Sequence, residues 1–122
     1  MGILAIAAGG ALGAVLRYVL AGWVQQIGGT RFPWGTLAVN AAGSFALGFL
    51  MAGFLGHATS TPLTRSFWTI GVLGGFTTFS TFSYETLALF SVGDWTGGCA
   101  NVAANVGLGL AAALVGLRIG TL

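Results

Sequence analysis

The sequence predicts an all-α membrane protein with four transmembrane helices, the third of them broken near mid-membrane. Only 5% of the 122 residues are charged, whereas about a quarter are charged in ordinary soluble domains. The six charges leave four long uncharged runs, at residues 1–16, 32–64, 66–84 and 95–117. Because a membrane-spanning helix needs roughly 20 mostly apolar residues, the runs predict one domain, 1–122, with spans at about 2–24, 35–55, 65–90 and 96–118.

The positions of the charges and the single cysteine argue against several kinds of segment, site and partner. Arg17 follows the first apolar run and no cation precedes that run, so we interpret the run as a retained span rather than a signal peptide. Cys99 is the single cysteine, so an intrachain disulfide is impossible and neither a redox pair nor a metal cluster is indicated. A net charge of +2, carried by scattered arginines, argues against a nucleic-acid partner.

The first span carries small residues and ends near a cation. Gly9 and Gly13 are four residues apart, which allows another helix to approach closely. Arg17 has two interpretations that the sequence leaves open. It is either an anchor that reaches the membrane interface or a buried vestibule cation that attracts anions.

The second and fourth spans each carry asparagine within apolar sequence. Asn40, Ser44 and Gly48 recur at steps of four and therefore share a helix face. Asn101 and Asn105 repeat this spacing in the fourth span. An amide in hydrocarbon needs a hydrogen-bond partner, so these side chains either bridge helices or line a pore.

The strongest candidate site is the stretch GGFTTFSTFSYE, residues 74–85. Each of its two opening glycines lowers helix propensity by about 1 kcal/mol relative to alanine. The stretch contains five hydroxyl side chains: Thr77, Thr78, Ser80, Thr81 and Ser83. Non-helical backbone persists at membrane depth only where it is buried in protein or lines a wet cavity. A break would leave partly negative carbonyls on one half-helix and partly positive N–H groups on the other, suited to a cation and an anion respectively.

Two faces follow the predicted break. Phe79 and Phe82 are three residues apart and face one way. They either pack as bulk or present their positive ring edges to a small anion beside the Ser and Thr donors. Thr78, Thr81 and Glu85 line another face at steps of three and four.

The arginines predict how the chain assembles. Arg17 and Arg31 lie near one side of the membrane, and Arg65 and Arg118 lie near the other. Because the two sides carry equal numbers of arginines, the positive-inside rule predicts no preferred orientation of the chain. A chain without a preference can insert both ways, so we predict an antiparallel, dual-topology homodimer with a conduit at its interface.

The motifs resemble one family of membrane proteins, the Fluc (CrcB) fluoride channels. The resemblance is distributed over the chain, in GGALGAVLRY at 9–18, GTLAVNAAGSF at 35–45 and, most specifically, GGFTTFSTFSYE at 74–85. It implies passive fluoride export through the cytoplasmic (inner) membrane, which lowers fluoride toxicity. It also implies an antiparallel homodimer with two fluoride pathways and a central structural sodium ion.

The resemblance also implies a role for individual residues. Sodium would be held by the backbone carbonyls of Gly74 and Thr77 from both subunits. The ion pathway would comprise Arg17, Asn40, Phe79, Ser80, Thr81, Phe82, Ser83, Glu85 and Asn101. Many relatives carry tyrosine where Asn101 aligns. An Asn amide could also donate a hydrogen bond there.

The chemistry of these groups suits a small anion. Fluoride is strongly hydrated and needs several close donors, yet conduction needs sites from which the ion can leave. The main competing class is a proton-coupled exporter of cationic drugs, which needs a carboxylate early in the chain, whereas Glu85 is the sole acid within a span. A non-transporting packing subunit would have little use for a hydroxyl-rich break. An enzyme is disfavoured because the sequence shows no nucleophile–base set.

Overall fold

The computed structural model describes residues 2–57 and 60–122, and the regular secondary structure in those ranges is helical throughout. Helix α1 is Gly2–Gly28, and α2 is Trp34–Leu50 with a π-helical continuation, Met51–Leu55. Helix α3, residues 62–76, consists of Pro62–Ser66, the π-helical Phe67–Leu73 and Gly74–Phe76. Helix α4 is Phe79–Ser91, and α5 is Trp95–Gly120. The all-α prediction is therefore confirmed for these ranges. Residues 1, 58 and 59 of the predicted domain lie outside them.

Three stretches in the described residues are long and apolar enough to cross a membrane. They are Gly2–Gly28, Trp34–Leu55 and Trp95–Gly120. Their length and composition support the prediction of an integral membrane protein. The predicted span at 65–90 corresponds to α3 and α4, which are two shorter helices separated by Thr77 and Thr78.

Side chains form hydrogen bonds with backbone groups in the loops and at the helix ends. The α1–α2 loop is held by Gln25, whose Nε2 donates to the carbonyl oxygens of Gly29 and Phe32 and whose Oε1 accepts from the Gly35 N–H. The short α4–α5 turn uses Gly93 at a φ of +82°, a left-handed conformation that favours glycine. Asp94 then caps α5, because its Oδ1 accepts from the Gly97 N–H over 2.8 Å. These local bonds place α4 directly beside α5.

Contacts between small residues hold α1 against α3. A Cβ atom at Gly9 would lie 2.6 Å from the carbonyl oxygen of Phe67, and one at Gly71 would lie 2.9 Å from the Cα of Gly9. Helix α2 approaches α5 as closely, because a Cβ at Gly116 would lie 2.9 Å from the amide nitrogen of Phe49. Backbone approach of this kind replaces the hydrophobic driving force that helices lack in lipid.

Substituting Gly9 with alanine should destabilise the fold, whereas the same substitution at Gly10 should not. Alanine improves helix propensity by about 1 kcal/mol at either position, but only at Gly9 would the new Cβ meet backbone atoms that cannot move independently. A Cβ at Gly10 meets nothing within 4 Å. We expect Gly9→Ala to lower the free energy of unfolding by about 1–3 kcal/mol, the usual cost of overpacking. Denaturant titration in detergent micelles measures the difference, and equal stability of the two variants would contradict the proposed contact.

Candidate functional site

The backbone leaves the helical conformation at two threonines between α3 and α4. Thr77 has φ −87° and ψ 160°, and Thr78 has φ −152° and ψ 118°, so both are extended. Thr78 also begins α4, because its Oγ1 accepts from the Thr81 N–H over 3.2 Å. The hydroxyl thus satisfies one of the N–H groups that a helix start leaves unpaired.

Asn40 of α2 holds the extended residue Thr78 by both of its backbone groups. The Thr78 N–H donates to Asn40 Oδ1 over 2.8 Å, and Asn40 Nδ2 donates to the Thr78 carbonyl oxygen over 3.1 Å. The second hydrogen of the amide goes to Asn105 Oδ1 in α5, over 3.0 Å. One side chain therefore replaces the backbone partners that Thr78 would have in a continuous helix.

The two carbonyl groups predicted to hold sodium also lack their usual helical N–H donors. In a continuous α-helix the carbonyl of residue i accepts from the N–H of residue i+4. The Gly74 and Thr77 carbonyls would thus take the N–H groups of Thr78 and Thr81, but these donate to Asn40 Oδ1 and Thr78 Oγ1. Neutral carbonyl oxygens released in this way fit a hard monovalent cation.

A groove of about 360 Å³ runs beside the break, and we call it the break groove. Phe79 and Phe82 line it with ring centroids 5.4 Å apart and ring planes tilted by 57°. Their environments differ, since Phe79 is 78% exposed and Phe82 is 8% exposed. The groove is also lined by Asn40, Gly43, Ser44, Leu47, Thr69, Leu73, Gly74, Thr77, Thr78, Asn105 and Val106. It therefore brings amide, hydroxyl and aromatic groups together.

A second cavity, of about 460 Å³, contains the charged groups of the predicted pathway, and we call it the arginine cavity. Arg17, Thr81 and Glu85 line it together with Thr36. The Thr36 hydroxyl donates to Glu85 Oε1 over 2.9 Å, while Glu85 Oε2 is buried and has no hydrogen-bond partner among the described residues. Thr78 lines both cavities, so the break lies between them.

Three predicted pathway residues line neither cavity. The Ser83 hydroxyl donates to the Phe79 carbonyl oxygen over 2.9 Å, and Ser80 Oγ lies 3.4 Å from Thr78 Oγ1. Asn101 is fully buried, and its Nδ2 donates to Thr86 Oγ1 over 2.9 Å. The assignment of these three residues, and of the six that line a cavity, to an ion pathway stays a prediction.

Three further side chains form hydrogen bonds with predicted site residues and were not themselves predicted as site residues. Asn105 lines the break groove and binds Asn40, Thr36 binds Glu85, and Thr86 binds Asn101. A signal existed for Asn105, which is one helical turn beyond Asn101 and shares its face. Thr36 carried no such signal, because its partner lies 49 residues away.

Known proteins match this chain over nearly its whole length. The model of the family described as "CrcB-like protein, Camphor Resistance (CrcB)" matches residues 4–117. A "Fluoride-specific ion channel FluC" of Rhizobium meliloti (strain 1021) is 47% identical over 117 residues, which are 96% of this chain and 94% of the relative. A protein of that name from Dehalococcoides mccartyi (strain ATCC BAA-2100 / JCM 16839 / KCTC 5957 / BAV1) is 52% identical, covering 98% of this chain and 92% of the relative. Another, from Geobacter sulfurreducens (strain ATCC 51573 / DSM 12127 / PCA), is 50% identical over 94% of this chain and 93% of the relative. The chain therefore belongs to the CrcB-like family.

Proposed function

We propose that this protein is a fluoride-specific ion channel through which fluoride crosses the membrane passively. The observation that carries the proposal is the break groove, in a chain whose relatives bear that name. The groove is lined by neutral donors and by two aromatic rings, whose positive edges would attract an anion without a fixed positive charge. Sites of moderate strength suit conduction, because an ion must be able to leave them. The protein is accordingly a transport protein and not an enzyme.

In the arrangement described, the Asn40 amide in the groove is already engaged. Both hydrogens of the Asn40 amide have protein acceptors, at the Thr78 carbonyl and at Asn105 Oδ1. An anion that binds at Asn40 must therefore displace one of these acceptors. Such exchange of one hydrogen bond for another keeps the net affinity small, since the gain is only the difference between two similar bonds.

The proposal extends to the assembly, an antiparallel homodimer in which each subunit has four spans and a third span interrupted at Thr77 and Thr78. The equal distribution of arginines supports dual topology. The 78% exposure of Phe79 in a single chain leaves this side of the break groove open to a second copy, which is consistent with the dimer.

A structural sodium ion at the dimer centre completes the proposal. The Gly74 and Thr77 carbonyls would hold it, because both line the break groove and their helical donors bind elsewhere. Its positive charge would offset the burial of anions nearby. We place the channel in the cytoplasmic (inner) membrane, where passive exit of fluoride would limit its toxicity to the cell.

Ion efflux from liposomes tests the function. We expect vesicles that contain the purified protein to release fluoride rapidly and chloride negligibly, as measured with ion-selective electrodes. Equal release of both ions would contradict selectivity, and proton-driven uptake of an organic cation would favour the exporter instead. The same preparation tests the assembly: a monomeric mass with flux intact contradicts the dimer, and absence of retained sodium by elemental analysis contradicts the central ion.

A further inference from the structure

Polar side chains form a continuous chain of hydrogen bonds that leads away from the break. Asn40 Nδ2 donates to Asn105 Oδ1 over 3.0 Å, and Asn105 Nδ2 donates to Asn101 Oδ1 over 2.9 Å. Asn101 Nδ2 then donates to Thr86 Oγ1 over 2.9 Å, and the Thr86 hydroxyl donates to the Phe82 carbonyl oxygen over 2.8 Å. We call this series the amide chain. It passes from α2 through α5 to α4.

The two ends of the amide chain fix its direction. It begins at the Thr78 N–H, a group that can only donate, and this donor requires Asn40 to present Oδ1. Asn40 then donates from Nδ2, so Asn105 must accept with its Oδ1. Asn105 in turn donates from Nδ2, so Asn101 must accept with its Oδ1. The chain ends at the Phe82 carbonyl, a group that can only accept. Every link donates in one direction, and in such a series each bond polarises the next.

Reversal of a single amide would be costly inside the protein. Asn101 is fully buried and Thr86 is buried, so water cannot supply a substitute partner. A rotated Asn105 amide would face Asn40 with donor against donor and Asn101 with acceptor against acceptor. At the Asn101 end the unpaired acceptor is fully buried, and such a group costs more than the hydrogen bond that it loses.

We propose that Asn105, Asn101 and Thr86 are positioning residues that fix the Asn40 amide against the break and couple it to Phe82. They act through Asn40 and Phe82, both of which line the break groove. The effect on ion passage rests on the proposed fluoride function. The effect on the Thr78 N–H is independent of that function, because it concerns only which atom of Asn40 faces the break.

A matched pair of substitutions at Thr86 tests the proposal. Thr86→Val keeps the shape of the side chain but removes both the acceptor for Asn101 and the donor to Phe82, whereas Thr86→Ser keeps the hydroxyl. We expect Thr86→Val to slow fluoride efflux per folded protein about tenfold, the scale of leaving one buried donor unpaired. Hydrogen exchange of the Thr78 N–H, followed by NMR in micelles, should become faster in this variant. Thr86→Ser should leave both the fluoride efflux and the Thr78 exchange rate close to those of the unsubstituted protein.

A second substitution tests whether the links act as a unit. Asn105→Leu keeps the number of side-chain heavy atoms but breaks the amide chain at its middle, so the double variant with Thr86→Val should be about as slow as the slower single variant. Fully additive losses would overturn the proposal. Asn105→Leu also takes the place of Thr86→Val in every comparison if the valine variant does not fold.

The remaining outcomes separate the amide chain from the channel function. Reduced stability of Thr86→Val with unchanged efflux and unchanged Thr78 exchange overturns the proposal, because the residue is then merely structural. If the unsubstituted protein passes no fluoride, the channel function fails and the exchange measurement alone decides. Faster exchange in Thr86→Val then supports the amide chain, and unchanged exchange overturns it.

Discussion

Substituting Asn40 with leucine should abolish most fluoride flux and destabilise the fold. The substitution removes three hydrogen bonds at once and leaves both backbone groups of Thr78 without their partner. Unpaired backbone groups at membrane depth are poorly tolerated. We expect the free energy of unfolding to fall by about 2–4 kcal/mol, between the modest value of a hydrogen bond in a membrane protein and the full penalty for an orphaned group.

Ser44→Ala provides the matched control for stability. Ser44 is one turn beyond Asn40 on the same face of α2 and lines the same groove. We expect its free energy of unfolding to change by less than about 0.5 kcal/mol. Denaturant titration in micelles and fluoride efflux from vesicles measure the two effects. An Asn40→Leu protein as stable and as active as Ser44→Ala would rule out the role assigned to the Asn40 amide.

Phe79→Ile and Phe82→Ile should both slow fluoride flux, by about tenfold if each ring edge contributes an aromatic interaction of ordinary strength. Their stabilities should differ. Phe82 is 8% exposed, so its substitution should lower the free energy of unfolding by about 1–2 kcal/mol. Phe79 is 78% exposed in the single chain, so its substitution should cost less than about 0.5 kcal/mol there.

This contrast distinguishes conduction from packing. If the rings serve only as bulk, loss of flux should follow loss of stability, and Phe79→Ile should conduct normally. If their edges interact with the ion, Phe79→Ile should conduct poorly although its fold is intact. Efflux of fluoride and chloride, normalised to folded protein, measures the outcome. Unchanged flux in both variants would remove the ring-edge argument.

The sequence located the candidate site but could not assign its hydrogen bonds. The density of hydroxyls after Gly74 and Gly75 indicated a break, and the spacing of Phe79 and Phe82 indicated a shared face. Both are local properties, carried by residues within ten positions of each other in the sequence. The prediction of an all-α protein rested on equally local evidence, namely the uncharged runs.

The partners of Asn40 and Glu85 depend on the tertiary fold. Asn40 binds Thr78 and Asn105, which are 38 and 65 residues away in the chain, and Glu85 accepts from Thr36 across 49 residues. An asparagine in an apolar span indicates that a partner exists but not which one. The sequence therefore left two interpretations of Asn40 open, an interhelical bond and a groove donor. The structure places its amide in the groove wall while bonding it to α5.

The break leaves the two halves of the third predicted span packed against different neighbours. Residues 62–76 pack against α1 through glycine contacts, whereas Phe79–Ser91 is joined to α5 by the Gly93 turn and by the hydrogen bond from Asn101 to Thr86. Thr77 and Thr78 thus join two differently packed helices, and the side chain of Asn40 connects Thr78 to α5. A shift of one helix relative to the other would first change the φ and ψ angles of Thr77 and Thr78, because these extended residues are the link between the two helices.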